Sequence, residues 1–301
     1  MRIAIQSNQF AALPNGTRLH YASAGDKGKP LILFVHGFPE FWYEWEAQLT
    51  EFGGDFFAVA PDLRGFNLSD MPTGLSAYRA KHIVDDLRLL VADLGYDRFV
   101  LVAHDWGGAI AWNFAIALPQ LLHRLIIINA PHPYLFMQAL ATDPIQKKSS
   151  EYMNWLRADG SEEALAKDNF ALLDGFFNGM GQAEAKWFDG EVRAKYHACW
   201  SRGLSGGVNY YRASPLHPPT AEHPGPQSLQ MNPNNFRVKV PTCVIWGEQD
   251  MALPKTLLDG LGALVDDLRV ERIPDGSHWV VHEQPERINS LIRGFLNSKA
   301  A

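Results

Sequence analysis

Long apolar runs are missing from this 301-residue chain: no stretch approaches the roughly 20 residues with which a helix crosses a bilayer. Its first residues, Met1-Arg-Ile-Ala-Ile-Gln-Ser7, lack the continuous apolar core and small-residue cleavage site of a secretory leader. Cysteine is scarce. Cys199 and Cys243 lie in different segments and form no disulfide framework, which fits a reducing compartment, so a cytoplasmic protein is expected. With a net charge of −6 and no basic run, neither nucleic acid nor an anionic membrane is an expected partner. Internal repeats and low-complexity tracts are absent too. What remains, 47% hydrophobic and 20% charged residues, is a globular composition with length for a large core and one inserted module.

Read in order, residues from Ile3 to Ala24 predict two antiparallel strands at a sheet edge, turning at Pro14-Asn15-Gly16. Pro30-Leu-Ile-Leu-Phe-Val35 is a continuous apolar run of the kind buried on both faces of a parallel sheet, and it stops at His36-Gly37-Phe38-Pro39-Glu40. A first helix is expected over Phe41 to Leu49, then a strand over Phe56 to Ala60 that ends in Pro61-Asp-Leu-Arg-Gly65. Ile83, Leu87, Leu90, Val91 and Leu94 recur at helical spacing within Tyr78 to Leu94, and Arg124 to Asn129 is another buried strand. Beyond Ala130-Pro131-His-Pro133 the apolar strands cease, aromatics abound, and Pro215, Pro218-Pro219 and Pro224-Gly-Pro226 mark the way back. The expected division is therefore a core of residues 1–130 and 229–301 interrupted by a helical cap over 131–228. Strand, helix, strand, helix is expected in 229–301, with Pro285 to Leu296 as the closing helix.

Function is concentrated at three strand ends. Arg98-Phe-Val-Leu-Val-Ala-His-Asp-Trp-Gly-Gly-Ala-Ile-Ala-Trp112 reads as strand, sharp elbow, helix, with Asp105 on the elbow at the sheet's carboxyl edge. Taken alone, Asp105 could simply cap the helix. However, the strand Thr242-Cys-Val-Ile-Trp-Gly-Glu-Gln-Asp250 also ends in a carboxylate, and Val270-Glu-Arg-Ile-Pro-Asp-Gly-Ser-His278 ends in a histidine. Asp105, Asp250, His278 follow the nucleophile, acid, histidine order of the α/β-hydrolase fold, whose nucleophile sits on a G-x-S-x-G elbow. Here Ala103 replaces the first Gly and Asp105 replaces the Ser.

That second replacement changes the chemistry. A Ser attacking a saturated carbon would end as an ether that activated water cannot cleave, whereas Asp ends as an ester that it can. An Asp nucleophile thus points to epoxide opening or carbon–halogen cleavage, with His278 activating water and Asp250 fixing its tautomer. Oxyanion donors map to the backbone N–H groups of Phe38 and Trp106. His278 and His282 are four apart, but no ligand cluster accompanies them, and neither metal nor cofactor is expected.

Through His36-Gly-Phe-Pro-Glu-Phe-Trp-Tyr-Glu-Trp45, Pro61-Asp-Leu-Arg-Gly-Phe66, His104-Asp-Trp-Gly-Gly108, Val208-Asn-Tyr-Tyr-Arg212 and Gly276-Ser-His-Trp279, the sequence resembles the epoxide hydrolase branch of the α/β-hydrolase superfamily over nearly its whole length. The resemblance implies a cis peptide at Phe38-Pro39, a small-molecule epoxide as substrate, and two cap tyrosines that hydrogen-bond the epoxide oxygen. Tyr211 matches the second of these, with Tyr210 as its rival, and Tyr152 in Ser149-Ser-Glu-Tyr-Met-Asn-Trp155 matches the first. His104, Phe38 and Trp155 are expected on the substrate pocket, and Phe176, Phe177 and Trp187 hint at an apolar or aryl epoxide. The competing enzyme is a haloalkane or haloacetate dehalogenase, similar in its His-Asp-Trp elbow. Phe38 stands where a halide-binding Asn would follow the first His-Gly, and Trp106 and Ala109 stand where haloacetate dehalogenases carry arginines. An inactive hydrolase-fold binding protein is the third class, and the complete set of Asp105, Asp250 and His278 argues against it.

Overall fold

The computed structural model describes residues 3–179 and 185–298. Eight strands form one sheet: β1 (Gln6–Ala12), β2 (Arg18–Ala24), β3 (Leu31–Val35), β4 (Phe57–Pro61), β5 (Phe99–His104), β6 (Leu122–Ile128), β7 (Thr242–Gly247) and β8 (Leu268–Ile273). Their spatial order is β1-β2-β4-β3-β5-β6-β7-β8. Only β1/β2 and β2/β4 pair antiparallel. Five parallel pairs follow from β4/β3 to β7/β8, so the carboxyl ends of β3, β5, β6 and β7 open on one edge.

The expected fold class, an α/β-hydrolase architecture with a mostly parallel sheet, is thus the observed one. Its strands alternate between two cores because successive side chains point to opposite faces. Leu31, Leu33 and Val35 of β3 face one core and Ile32 and Phe34 the other. The first core is closed by α2 (Ala80–Asp93) through Ile83, Leu87 and Leu90, and by α3 (Asp105–Ala117) through Ile110, Ala111 and Phe114. The second is closed by α1 (Glu46–Phe52) through Leu49 and Phe52 and by the closing helix Pro285–Leu296 through Ile288, Ile292 and Phe295. Each such Leu, Ile or Phe side chain contributes about 1.5–3 kcal/mol by leaving water. The site edge therefore rests on a rigid, doubly covered sheet.

Between β6 and β7, α4 (Pro133–Thr142), α5 (Pro144–Ser149), α6 (Glu151–Arg157), α7 (Ser161–Gly179), α8 (Gly190–Trp200) and α9 (Ser205–Ala213) follow one another with no strand among the described residues. Aromatics fasten this segment to the sheet edge. Phe177 lies within 4.6–5.9 Å of the rings of Trp187, Phe188, Tyr196, Trp200 and Trp279. The Trp279 indole donates to the Phe176 carbonyl (3.1 Å) and the Trp200 indole to that of Pro39 (2.7 Å). Phe176, Phe177 and Trp187, expected to flavour a substrate pocket, serve this docking instead.

Two local expectations differ. The helix expected from Phe41 starts late, as a 3-10 turn over Trp42–Trp45 followed by α1. No α-helix joins β7 to β8: only 3-10 turns form at Lys255–Leu258 and Leu261–Ala263, because Gly260 with φ +85° interrupts the apolar run. After β8 come α10 (Val280–Glu283) and α11 (Pro285–Leu296). No helix among the described residues is long and apolar enough to cross a membrane.

Candidate active site

β5 delivers His104 in extended conformation, and the next residue, Asp105, turns the chain with φ +49° into α3. A non-glycine residue in this left-handed region is uncommon, and here it throws a carboxylate off the sheet edge. The turn closes only because Gly107 is bare: a Cβ there would lie 2.2 Å from the Val35 carbonyl oxygen. From the loop after β3, where Phe38-Pro39 is cis, the Phe38 N–H donates to Asp105 Oδ1 at 2.8 Å. Trp106, the residue after Asp105, lies in the first turn of α3.

Asp250 is fixed from several sides. Its Oδ1 accepts from the N–H groups of Ala252 and Leu253, both at 2.9 Å, and its Oδ2 accepts from Asn129 Nδ2 at 2.8 Å. His278 Nδ1 lies 2.6 Å from Asp250 Oδ2, and His278 Nε2 lies 3.5 Å from Asp105 Oδ2. The three residues from three strand ends are therefore one chain of contacts. Burial alone would lower the His278 pKa, but the charge of Asp250 and the hydrogen bonds to both aspartates raise it to about 9. Burial pushes Asp105 up, and it is outweighed by the hydrogen bond and charge of His278, the charge of His104 and the Phe38 N–H, which hold the carboxyl below its ordinary range.

Above Asp105 a cavity of about 600 Å³ opens between the sheet edge and the helical segment. Its wall includes Asp105, Trp106, Phe136, Met153, Tyr152 and Tyr211. Burial, with the Asp105 charge contributing, raises the pKa of both Tyr152 and Tyr211, whose rings meet edge-on at 6.1 Å. Tyr210 also reaches the wall, but its hydroxyl is committed to the Arg64 carbonyl at 3.0 Å, which separates the two rival tyrosines.

Three expected pocket residues sit elsewhere. Trp155 is 41% exposed and off the cavity wall, since helical periodicity turns it about 110° from the face that α6 buries with Tyr152, Met153 and Leu156. His104 is fully buried behind the elbow, donating through Nε2 to the His278 carbonyl at 2.9 Å. The ring of Phe38 lies edge-on to Tyr211 at 5.3 Å and backs that phenol without lining the cavity.

Sequence reasoning missed two groups. Asn129, with φ +38° at the end of β6, ties Asp250 to Gly247: its Oδ1 accepts from the Gly247 N–H at 2.8 Å. A polar residue ending a buried strand was the available signal. Glu40 and Glu44 stand inside the His36 to Trp45 motif, are almost fully buried, and face His104.

A mostly parallel sheet with a charged elbow after its fifth strand defines an α/β-hydrolase-fold protein, and the profile of the alpha/beta hydrolase fold family matches residues 30–285. The chain is 37% identical over 290 residues to Epoxide hydrolase 3 of Xenopus tropicalis, covering 94% of this chain and 75% of that protein. It is 34% identical over 292 residues to Epoxide hydrolase 4 of Mus musculus, covering 95% and 78%. The crystal structure of Bacillus megaterium epoxide hydrolase in complex with an inhibitor superposes with a TM-score of 0.87 at 34% identity, covering 96% of this chain and all of that one. The chain belongs to the epoxide hydrolase family of this fold.

Proposed function

We propose that this enzyme hydrolyses an epoxide to a vicinal diol through an ester on Asp105, with the helical segment acting as a cap over the reaction. The observation that carries this reading is one cavity whose wall holds Asp105 from the sheet edge and two phenols, Tyr152 and Tyr211, from the helical segment. Asp105 attacks an epoxide carbon, the C–O bond breaks, and its electron pair becomes an alkoxide. That strongly basic oxygen takes a proton from Tyr152 or Tyr211. A halide would leave as a weak base with no need of a phenol, so the donor set favours the epoxide over the carbon–halogen bond.

Ester formation removes the Asp105 charge. One of the two anions holding the proton on His278 is lost, so the imidazole releases it, restoring the phenol. Neutral His278 then takes a proton from water as the water oxygen attacks the Asp105 carboxyl carbon. The oxyanion formed is met by the N–H groups of Phe38 and Trp106. Collapse expels the diol oxygen, which takes the proton from His278, and the acid left on Asp105 returns its own proton to the imidazole. Epoxide plus water gives diol with every group restored.

His278→Gln tests the sequence of steps. Mixed with styrene oxide, the variant should accumulate a one-to-one adduct by intact-protein mass spectrometry, mapped to the peptide holding Asp105. No adduct, or an adduct on His278 or a cysteine in the unsubstituted enzyme, would overturn the two-step reading.

A further inference from the structure

Behind His278, away from the cavity, lie three side chains for which the steps above have no use. Glu40 comes from the loop after β3, Glu44 from the turn Trp42–Trp45 and His104 from the end of β5. All three are at most 2% exposed, and their ligand-type atoms gather within 4.8 Å of one another. Glu44 Oε1 is 2.7 Å from His104 Nδ1 and Glu40 Oε2 is 3.6 Å from it. Among the described residues these three atoms have no other hydrogen-bond partner.

The other nitrogen of His104 counts the protons. Nε2 faces the His278 carbonyl oxygen at 2.9 Å, and since a carbonyl only accepts, Nε2 carries its hydrogen. In a neutral ring Nδ1 would then be a bare lone pair, and a carboxylate at 2.7 Å would set two lone pairs against each other. The contact must hold a proton. Burial and the charge of Glu40 push the Glu44 carboxyl up, whereas His282 and His104 outweigh burial at Glu40 and hold it low, so a proton seated on the ring places an imidazolium between the two glutamates.

We propose that Glu44 is a positioning residue for ester hydrolysis: it keeps the proton on His104, and this buried imidazolium, 4.8 Å ring to ring from His278, repels a second proton there and frees His278 to act as base. The inference rests on the aspartyl-ester reading. Burial opposes charge on His104, but the charge of Glu44 and the hydrogen bonds of both glutamates raise its pKa well above the ordinary value. Its charge in turn acts downward on His278 and on Asp105. The groups facing His278 are Asp250 from the loop after β7, Asp105 from α3 and His104 from β5, with Trp279 supplying an uncharged ring. Glu40 is shared with His282 of α10 and the hydroxyl of Tyr196 of α8, so it has its own partners. Burial lowers the pKa of His36, near Glu40 and Asp105, and its Nε2 accepts from the Leu63 N–H at 3.0 Å. Tyr152 and Tyr211 face Asp105 from the helical segment.

Glu44→Gln offers Nδ1 an N–H donor and no charge, which leaves His104 neutral. Single-turnover measurements with styrene oxide should show the adduct still forming, while the acid limb of its hydrolysis moves up by about one pH unit, as expected for losing a nearby like charge. Glu44→Asp should restore part of the shift. An unmoved limb, whatever the loss in rate, would overturn the proposal and leave Glu44 a packing residue. Independently of any variant, nitrogen NMR of the histidine-labelled enzyme should find both His104 nitrogens protonated through neutral pH, and a bare Nδ1 there would overturn it too. If the unsubstituted enzyme forms no adduct with any epoxide, the aspartyl-ester reading fails, and the proposed role falls with it even where the NMR finds the imidazolium.

Discussion

Gly37 and Asp105 touch so closely that a Cβ on Gly37 would lie 2.3 Å from Asp105 Oδ1 and 2.4 Å from its Cβ. No real Cβ tolerates such a contact, and what would move is the carboxylate that Phe38, the next residue, holds through its N–H. Gly37→Ala should therefore lower the rate of adduct formation by about 10²-fold, the scale of a nucleophile displaced by an ångström. Circular dichroism should show the sheet intact. Unchanged single-turnover kinetics would mean that the elbow relaxes without moving its side chain.

His132 gives the fold a pH dependence of its own. Fully buried edge-on against Trp112, it donates through Nε2 to the Phe236 carbonyl at 2.9 Å. Burial lowers its pKa from 6.5 to about 4, only partly offset by that bond. Because the unfolded chain takes up this proton more readily, the stability His132 contributes is complete above about pH 6.5 and is lost as pH falls through 4. The full loss is roughly 3 kcal/mol at 1.36 kcal/mol for each pKa unit. Urea unfolding of His132→Gln should show a correspondingly shallower decline over this interval, and an identical decline in both proteins would remove His132 as the cause.

The parts of the site legible in the sequence were those that chain order and strand ends carry. Asp105 and Asp250 each close an apolar strand and His278 follows a strand-like segment, and a parallel sheet brings such ends to one edge. Asn129 lies at the same edge, but a strand ending in an amide announces no chemistry in the sequence. In the sequence Glu40 and Glu44 are letters of a motif, and only the folded chain turns both inward onto His104. The aromatics of the helical segment misled for the converse reason. Ring content alone does not say whether Phe177 and Trp187 face a ligand or, as here, Trp279 and His282.

Trp155 checks that correction. Because Trp155 is 41% exposed and off the cavity wall, Trp155→Ala should leave kcat/KM for styrene oxide within about twofold and change stability by no more than about 0.5 kcal/mol, as surface substitutions do. A tenfold change in KM would return Trp155 to the substrate.

Tyr210 and Tyr211 are adjacent in sequence and differ in what their hydroxyls do, which makes them a matched pair. Tyr210 spends its O–H on the Arg64 carbonyl, with its ring held among Phe66, Tyr78 and Trp106. Tyr211 packs its ring edge-on against Trp106 at 5.0 Å and Tyr152 at 6.1 Å on the cavity wall that also holds Asp105. Tyr211→Phe should slow adduct formation by about 10²-fold, the usual consequence of removing one positioned acid or oxyanion donor. Tyr210→Phe should spare that step and instead cost about 1–3 kcal/mol of stability by leaving a buried carbonyl without its donor. The double variant Tyr152→Phe/Tyr211→Phe should be nearly inert toward epoxides if, as proposed, both phenols serve one oxygen. Stopped-flow kinetics and urea unfolding of the same samples separate the two classes of effect. Should Tyr210→Phe slow adduct formation while Tyr211→Phe only destabilises, the two tyrosines would exchange roles.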